Sequence, residues 1–113
     1  IVLATDVALS ERQLKRVAKR AAVGLSRTGS FVGSGSGEVV LAFTTKNSVS
    51  HYKNEKIETL TRTHEDDLDI LFRAAAESVE EAILNSMITA ESTTGVEGNT
   101  RKSLQEYMQL LTS

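Results

Sequence analysis

The two short apolar runs Ile1–Thr5 (IVLAT) and Val39–Phe43 (VVLAF) constrain this chain more than any other feature. Neither alternates apolar with polar residues, and both contain β-branched side chains, the pattern of strands covered on both faces. Asp6 closes the first, and the second lies within a strand expected over Glu38 to Thr45. Two such strands imply a sandwiched sheet. At 113 residues and 12.3 kDa the chain is one domain at most, with room for only two or three strands. It is therefore expected to complete its sheet with a partner. The chain also opens at Ile1, without Met and already inside an apolar run, as a processed or truncated polypeptide would.

Helices are expected on the sheet. Ser10 followed three residues later by Gln13 forms a capping box, after which Leu14, Val17, Ala18, Ala21, Ala22 and Leu25 keep helical spacing until Gly24 to Gly29. The opposite face carries Arg12, Lys15, Arg16, Lys19 and Arg20. With a net charge of −2 and no interleaved aromatics, a solvated face outranks a phosphate-binding stripe. A long helix is expected from about Asp66 to Ala90, with Leu68, Leu71, Phe72, Ala75, Val79, Ala82, Ile83 and Met87 on one face and acidic residues at its dipole-positive start. Between them, Lys46 to Glu65 is polar, with an alternating edge strand at Ile57 to Thr61. Glu91 to Asn99 reads as a loop, and Lys102 to Leu111 as a last helix turning Leu104, Tyr107, Met108 and Leu111 inward.

Composition removes several chemistries. The absence of cysteine excludes thiol catalysis, disulfides and thiolate metal sites, while His51 and His64 lack metal-ligand spacing and any paired nucleophile. No metal or cofactor is expected. The acidic balance, with pI near 5.7, gives no pull toward nucleic acid or an anionic membrane. No apolar run reaches the ~20 residues that span a bilayer, so a soluble protein of the cytoplasm or periplasm is expected.

One stretch remains. Arg27 to Thr45, RTGSFVGSGSGEVVLAFTT, holds four of the seven glycines and runs straight into the second strand. Closely spaced glycines permit tight turns and close approach, here with Ser34 and Ser36 among them and Glu38 at the threshold of the strand. The loop lacks the Gly-Lys-Ser/Thr ending of a phosphate cradle and precedes a strand instead of opening a helix. Taken alone, Ser36 and Glu38 read first as a hydroxyl and a carboxylate satisfying turn amides.

Taken together, the strand IVLATD, the helix segment QLKRVAKRAAVGLSRTGS, the loop ending SGEVVLAFTT and the helix exit EEAILNSMITAESTTG resemble the smaller (β) subunit of the L-aminopeptidase D-Ala-esterase/amidase family, which includes the β-peptidyl aminopeptidases. The resemblance covers most of the chain except Lys46 to Glu65 and the last dozen residues. It implies an α-β-β-α four-layer sandwich completed with a larger (α) subunit cut from the same self-cleaving precursor, assembled as an oligomer of such heterodimers. Residues 1–113 would be the single domain of the smaller subunit.

The implied activity is that of a serine N-terminal-nucleophile aminopeptidase acting on short peptides, amides or esters. Its nucleophilic serine would lie upstream of Ile1, with Ser36 and Glu38 beside it as supporting catalytic residues. A catalytically silent assembly subunit is the alternative if no serine precedes Ile1. An acyltransferase of the ornithine acetyltransferase type ranks lower, because such enzymes use threonine and lack the RTGS and SGE segments.

Overall fold

The structure is a computed structural model that describes residues 1–113 in full. Its centre is a pair of parallel strands, β1 (Val2–Thr5) and β2 (Leu41–Thr44), with Val2 opposite Leu41 and Thr5 opposite Thr44. Backbone pairing extends past β2 at both ends, from the Val39 carbonyl to the Thr45 N–H, close to the span expected from sequence.

Helices cover one face of this pair. In α1 (Glu11–Lys19) the capping box is present: Ser10 Oγ accepts the Gln13 N–H at 3.2 Å and Gln13 Oε1 accepts the Ser10 N–H at 3.0 Å. The expected single helix breaks at Arg20, and α2 (Ala21–Arg27) follows. At the break the Arg20 guanidinium donates to the Arg16 carbonyl at 2.9 Å and lies 3.7 Å from the centroid of the Phe72 ring. The Arg20 N–H turns to Val17 instead, tightening the backbone by a 3-10 bond. Gly29, at φ +104°, takes the left-handed exit that ends the helix.

The long helix is α3 (Asp69–Thr89), entered through a 3-10 turn at Glu65–Asp67 whose exit residue, Leu68, is fully buried. Leu9, Val17, Leu68 and Ala75 form the core, with Leu3, Leu14, Leu71 and Phe72 packed around it. The outer half of the expected inward stripe is not covered: Ala82 and Met87 are exposed. No helix is long and apolar enough to cross a membrane.

Within residues 1–113 the strands are covered on one face: Leu3, Thr5, Ala42 and Thr44 lie toward the helices, whereas Val2, Ala4, Leu41 and Phe43 are exposed. Two expectations are corrected. Ile57 to Thr61 forms no strand. There the Asn47 side chain supplies the pairing a neighbouring strand would have made, accepting the Thr61 N–H (3.0 Å) and donating to the Thr61 carbonyl (2.7 Å), while Ile57 and Leu60 stay in solvent. The region after α3 is not wholly loop either. β3 (Thr93–Thr94) and β4 (Thr100–Arg101) pair antiparallel across a turn in which Glu97 and Gly98 take positive φ.

The last helix, α4 (Leu104–Thr112), starts at Ser103, whose Oγ accepts the Glu106 N–H. Of its expected inward side chains, Tyr107, Met108 and Leu111 are exposed. The molecule is elongated, 64 × 33 × 26 Å with a radius of gyration of 19.1 Å, where a compact chain of this length has about 13 Å.

Candidate functional site

The register of β1 on β2 brings two distant parts of the sequence together. The Ile1 α-amine donates to the Val39 carbonyl at 2.8 Å, and the Leu41 N–H donates to the Ile1 carbonyl at 2.9 Å. The start of β1 is thus fixed against the end of the glycine loop. The stiffness of parallel pairing sets this contact, since β1 and β2 are joined by α1 and α2 and cannot slip without moving apolar side chains to the wrong face.

The loop itself is held by local devices. Gly29 reverses the chain out of α2, Ser30 Oγ accepts the Val32 N–H at 3.2 Å, and Val32 takes φ +55°, a left-handed conformation that a β-branched residue adopts only under constraint. The Phe31 ring folds over Gly33 so closely that a Cβ there would stand 2.9 Å from it. Gly35 and Gly37 have open space around them. Ser36 and Glu38 follow on the segment leading into β2, at the same end of the sheet as Ile1, and both are exposed. The hydrogen bond from the Ile1 amine goes to the Val39 carbonyl and not to the Glu38 carboxylate.

The other candidates take structural places. His64 Nδ1 accepts the Asp66 N–H at 3.2 Å and caps the 3-10 turn; His51 packs edge-on against Tyr52 in solvent. The basic face of α1 is partly neutralised. Glu65 pairs with Arg16 and Arg62 and stands 3.8 Å from Arg12, and Lys15 pairs with Glu11 at 2.8 Å. The hydrogen bond from Lys15 and then its charge hold the Glu11 carboxyl below its ordinary range. No group of His, Cys, Asp or Glu is placed to hold a metal ion. A cavity of about 240 Å³ between sheet and helices is lined mainly by apolar side chains such as Leu3, Leu14, Val17 and Leu71, and its only polar side chains are the hydroxyls of Thr5 and Ser78.

The Val39 carbonyl escaped sequence reasoning. A main-chain acceptor has no residue signature, and only the register could have pointed to it. Asn47 and Glu65 were missed because their partners Thr61 and Arg16 lie 14 and 49 residues away in sequence.

The chain is similar to known proteins over most of its length. The family model described as peptidase family S58 matches residues 1–101. The β-peptidyl aminopeptidase BapA of Sphingosinicella microcystinivorans is 38% identical over 104 residues, 92% of this chain and 26% of that protein. Among solved structures, the PH0078 protein of Pyrococcus horikoshii OT3 superposes with a TM-score of 0.84 at 41% identity, covering 97% of this chain and 31% of its own. The L-aminopeptidase D-Ala-esterase/amidase of Ochrobactrum anthropi, described as a prototype for the serine aminopeptidases and a new variant of the Ntn hydrolase fold, superposes at 0.81 with 33% identity, covering 97% of this chain and 31% of its own. The chain spans about a quarter to a third of the length of these relatives.

Proposed function

The chain belongs to peptidase family S58, and on that footing we propose that it is the smaller subunit of a serine N-terminal-nucleophile aminopeptidase that removes N-terminal residues from short peptides, amides or esters. One observation carries the reading: the parallel register that ties Ile1 to Val39. Continued upstream in that register, the next three positions before Ile1 stand opposite Val39, Glu38 and Gly37 in turn. A serine there meets the SGE segment.

The chemistry follows from that placement. A hydroxyl is a weak nucleophile and needs an adjacent base; the free α-amine of an N-terminal serine, with an ordinary pKa of about 8, accepts the proton without a histidine. This suits a chain whose two histidines cap a turn and pack on a tyrosine. Glu38 would hydrogen-bond the amine or hydroxyl and hold the proton path in line, and Ser36 would orient it. The larger subunit from the same precursor would add the second sheet of an α-β-β-α sandwich over the exposed face of Val2, Ala4, Leu41 and Phe43, and most of the substrate pocket.

The test is made on the complete protein. Terminal sequencing of its smaller subunit is expected to give a serine a few residues ahead of Ile1, and Glu38→Gln to lower kcat/KM and change its pH profile. A smaller subunit without that serine, or an unaltered profile in Glu38→Gln, removes the assignment.

A further inference from the structure

The glycine loop holds one side chain that neither the core nor the proposed chemistry uses. Phe31 is 90% exposed, the most exposed of the chain's large apolar side chains. It is nevertheless held in place. Ser30 Oγ accepts the Val32 N–H at 3.2 Å, and Val32 takes the left-handed φ of +55°. The ring's Cε2 and Cζ lie 2.9 and 3.4 Å from where a Cβ at Gly33 would stand, room that only glycine leaves. The ring thus leans on the bare backbone of Gly33, with most of its surface open.

Its place follows from the next residues. The chain turns at Ser34 and Gly35, so Gly33 and Ser36 are the two ends of a four-residue turn and lie within about 7 Å of each other. Ser36 adjoins Gly37, the residue opposite the third position upstream of Ile1 in the β1–β2 register. The Phe31 ring therefore stands one turn away from Ser36, at the end of the sheet where the nucleophile is placed.

A substrate cut at that point divides into an N-terminal residue, which carries a cationic amine, and a leaving part, which need carry no charge. The loop from Thr28 to Gly37 contains no acidic side chain to meet the amine. What it offers is an exposed aromatic face, suited to an apolar or aromatic group. We propose that Phe31 is a specificity-determining residue of this site, its ring contacting the leaving part of the substrate and favouring an aromatic or bulky apolar group there. The proposal rests on the reading of the chain as part of a serine aminopeptidase. The ring has no group that transfers a proton, so its effect falls on which substrate is held and not on how the bond is cut.

Kinetics on the complete protein test this with two substrates that share an N-terminal residue and differ in the leaving amine, alanine benzylamide and alanine methylamide. Phe31→Ala is expected to lower the ratio of kcat/KM, benzylamide over methylamide, about tenfold, mostly through KM. Phe31→Tyr, which keeps the ring, is expected to hold the ratio within about twofold of the unaltered protein. Gly33→Ala, which pushes the ring from its seat, is expected to lower it. An unchanged ratio in Phe31→Ala, including the equal loss on both substrates that removal of a purely structural contact would cause, overturns the proposal. A change that follows the N-terminal residue instead of the leaving amine also overturns it. A second readout needs no turnover. With para-fluorophenylalanine in place of Phe31, benzyl alcohol, the leaving product of a benzyl ester, is expected to give a saturable fluorine NMR shift that methanol does not. Where the unaltered protein hydrolyses neither amide, the aminopeptidase reading fails and this measurement decides Phe31 by itself: a saturable shift keeps the aromatic subsite, and its absence removes it.

Discussion

Gly24→Ala sets two effects of opposite sign against each other, and the structure decides between them. Gly24 is buried in the middle of α2, where replacement by alanine gains about 1 kcal/mol in helix propensity. A Cβ at that position, however, would stand 2.4 Å from the Ala76 carbonyl oxygen, 2.8 Å from Val79 Cβ and 3.1 Å from the Glu80 nitrogen. The first and last of these are backbone atoms of α3 and cannot swing aside as a flexible side chain could. Separating the helices opens the α2–α3 contact beside Ala21 and Val79, both buried. Overpacking of this kind costs about 1–3 kcal/mol, and a backbone clash this close belongs at or above the upper end. The expected net result is a loss of about 2 kcal/mol, read as a fall of several degrees in the Tm of the complete protein. Gly35→Ala, with nothing within 4 Å and no positive φ, is the control and is expected to leave Tm essentially unchanged. A rise in Tm for Gly24→Ala would show that helix propensity governs the site and that α2 does not approach α3 as described.

Three further outcomes follow from particular contacts. Gln13→Ala removes half of the capping box together with the 2.7 Å bond from Nε2 to the Thr63 carbonyl at a fully buried position, and is expected to cost about 2–3 kcal/mol by denaturant titration; a cost under about 0.5 kcal/mol would mean the α1 start is held otherwise. Val32→Asn places a residue tolerant of left-handed backbone at φ +55° and is expected to raise Tm by an amount equivalent to about 1 kcal/mol, whereas a fall would show that the isopropyl group itself is needed. The third concerns pH. The hydrogen bond from Arg73 and then its charge hold the Glu77 carboxyl below its ordinary 4.5, so the stabilisation is present above that value and fades as pH falls through the lower folded one. Glu77→Gln should therefore lower Tm slightly near neutral pH and not at all in strong acid, with the difference shrinking in high salt because both groups are exposed. A difference that grows in acid would contradict the sign.

What was legible in the sequence follows the reach of the forces involved. The α1 start was readable because a capping box closes within four residues, and α3 because its apolar spacing is a local pattern. β1 and β2 were readable as strands from composition, yet their parallel partnership, and with it the Ile1 to Val39 contact, depends on α1 and α2 between them and has no local signature. Ser36 and Glu38 were singled out by their setting among glycines, and the structure puts them on the segment that ends beside Ile1. The misreadings lie where stabilising contacts are distant or off the chain. Asn47 replaced a strand partner for Thr61 through a side chain, and α4 and the outer half of α3 carry apolar faces that find nothing here to cover them.

That last class of error has a quantitative counterpart. A self-contained monomer of 12.3 kDa exposes about 6,000 Å² of surface, whereas this chain exposes 9073 Å² and buries only ten residues. The excess of about 3,000 Å² on one chain is at least what one side of an obligate interface buries, about 1,000–2,500 Å². The exposed apolar side chains lie on identifiable surfaces: the face of Val2, Leu41 and Phe43, the groove between the edge of β1 and Ile83, and the stripe of Met87, Ile88, Tyr107 and Leu111. A two-stranded sheet with both edges free is marginal by itself in water. The non-alternating runs Ile1–Thr5 and Val39–Phe43 carry apolar side chains to both faces of the sheet, and only the face of Leu3 and Ala42 meets a helix layer within these residues.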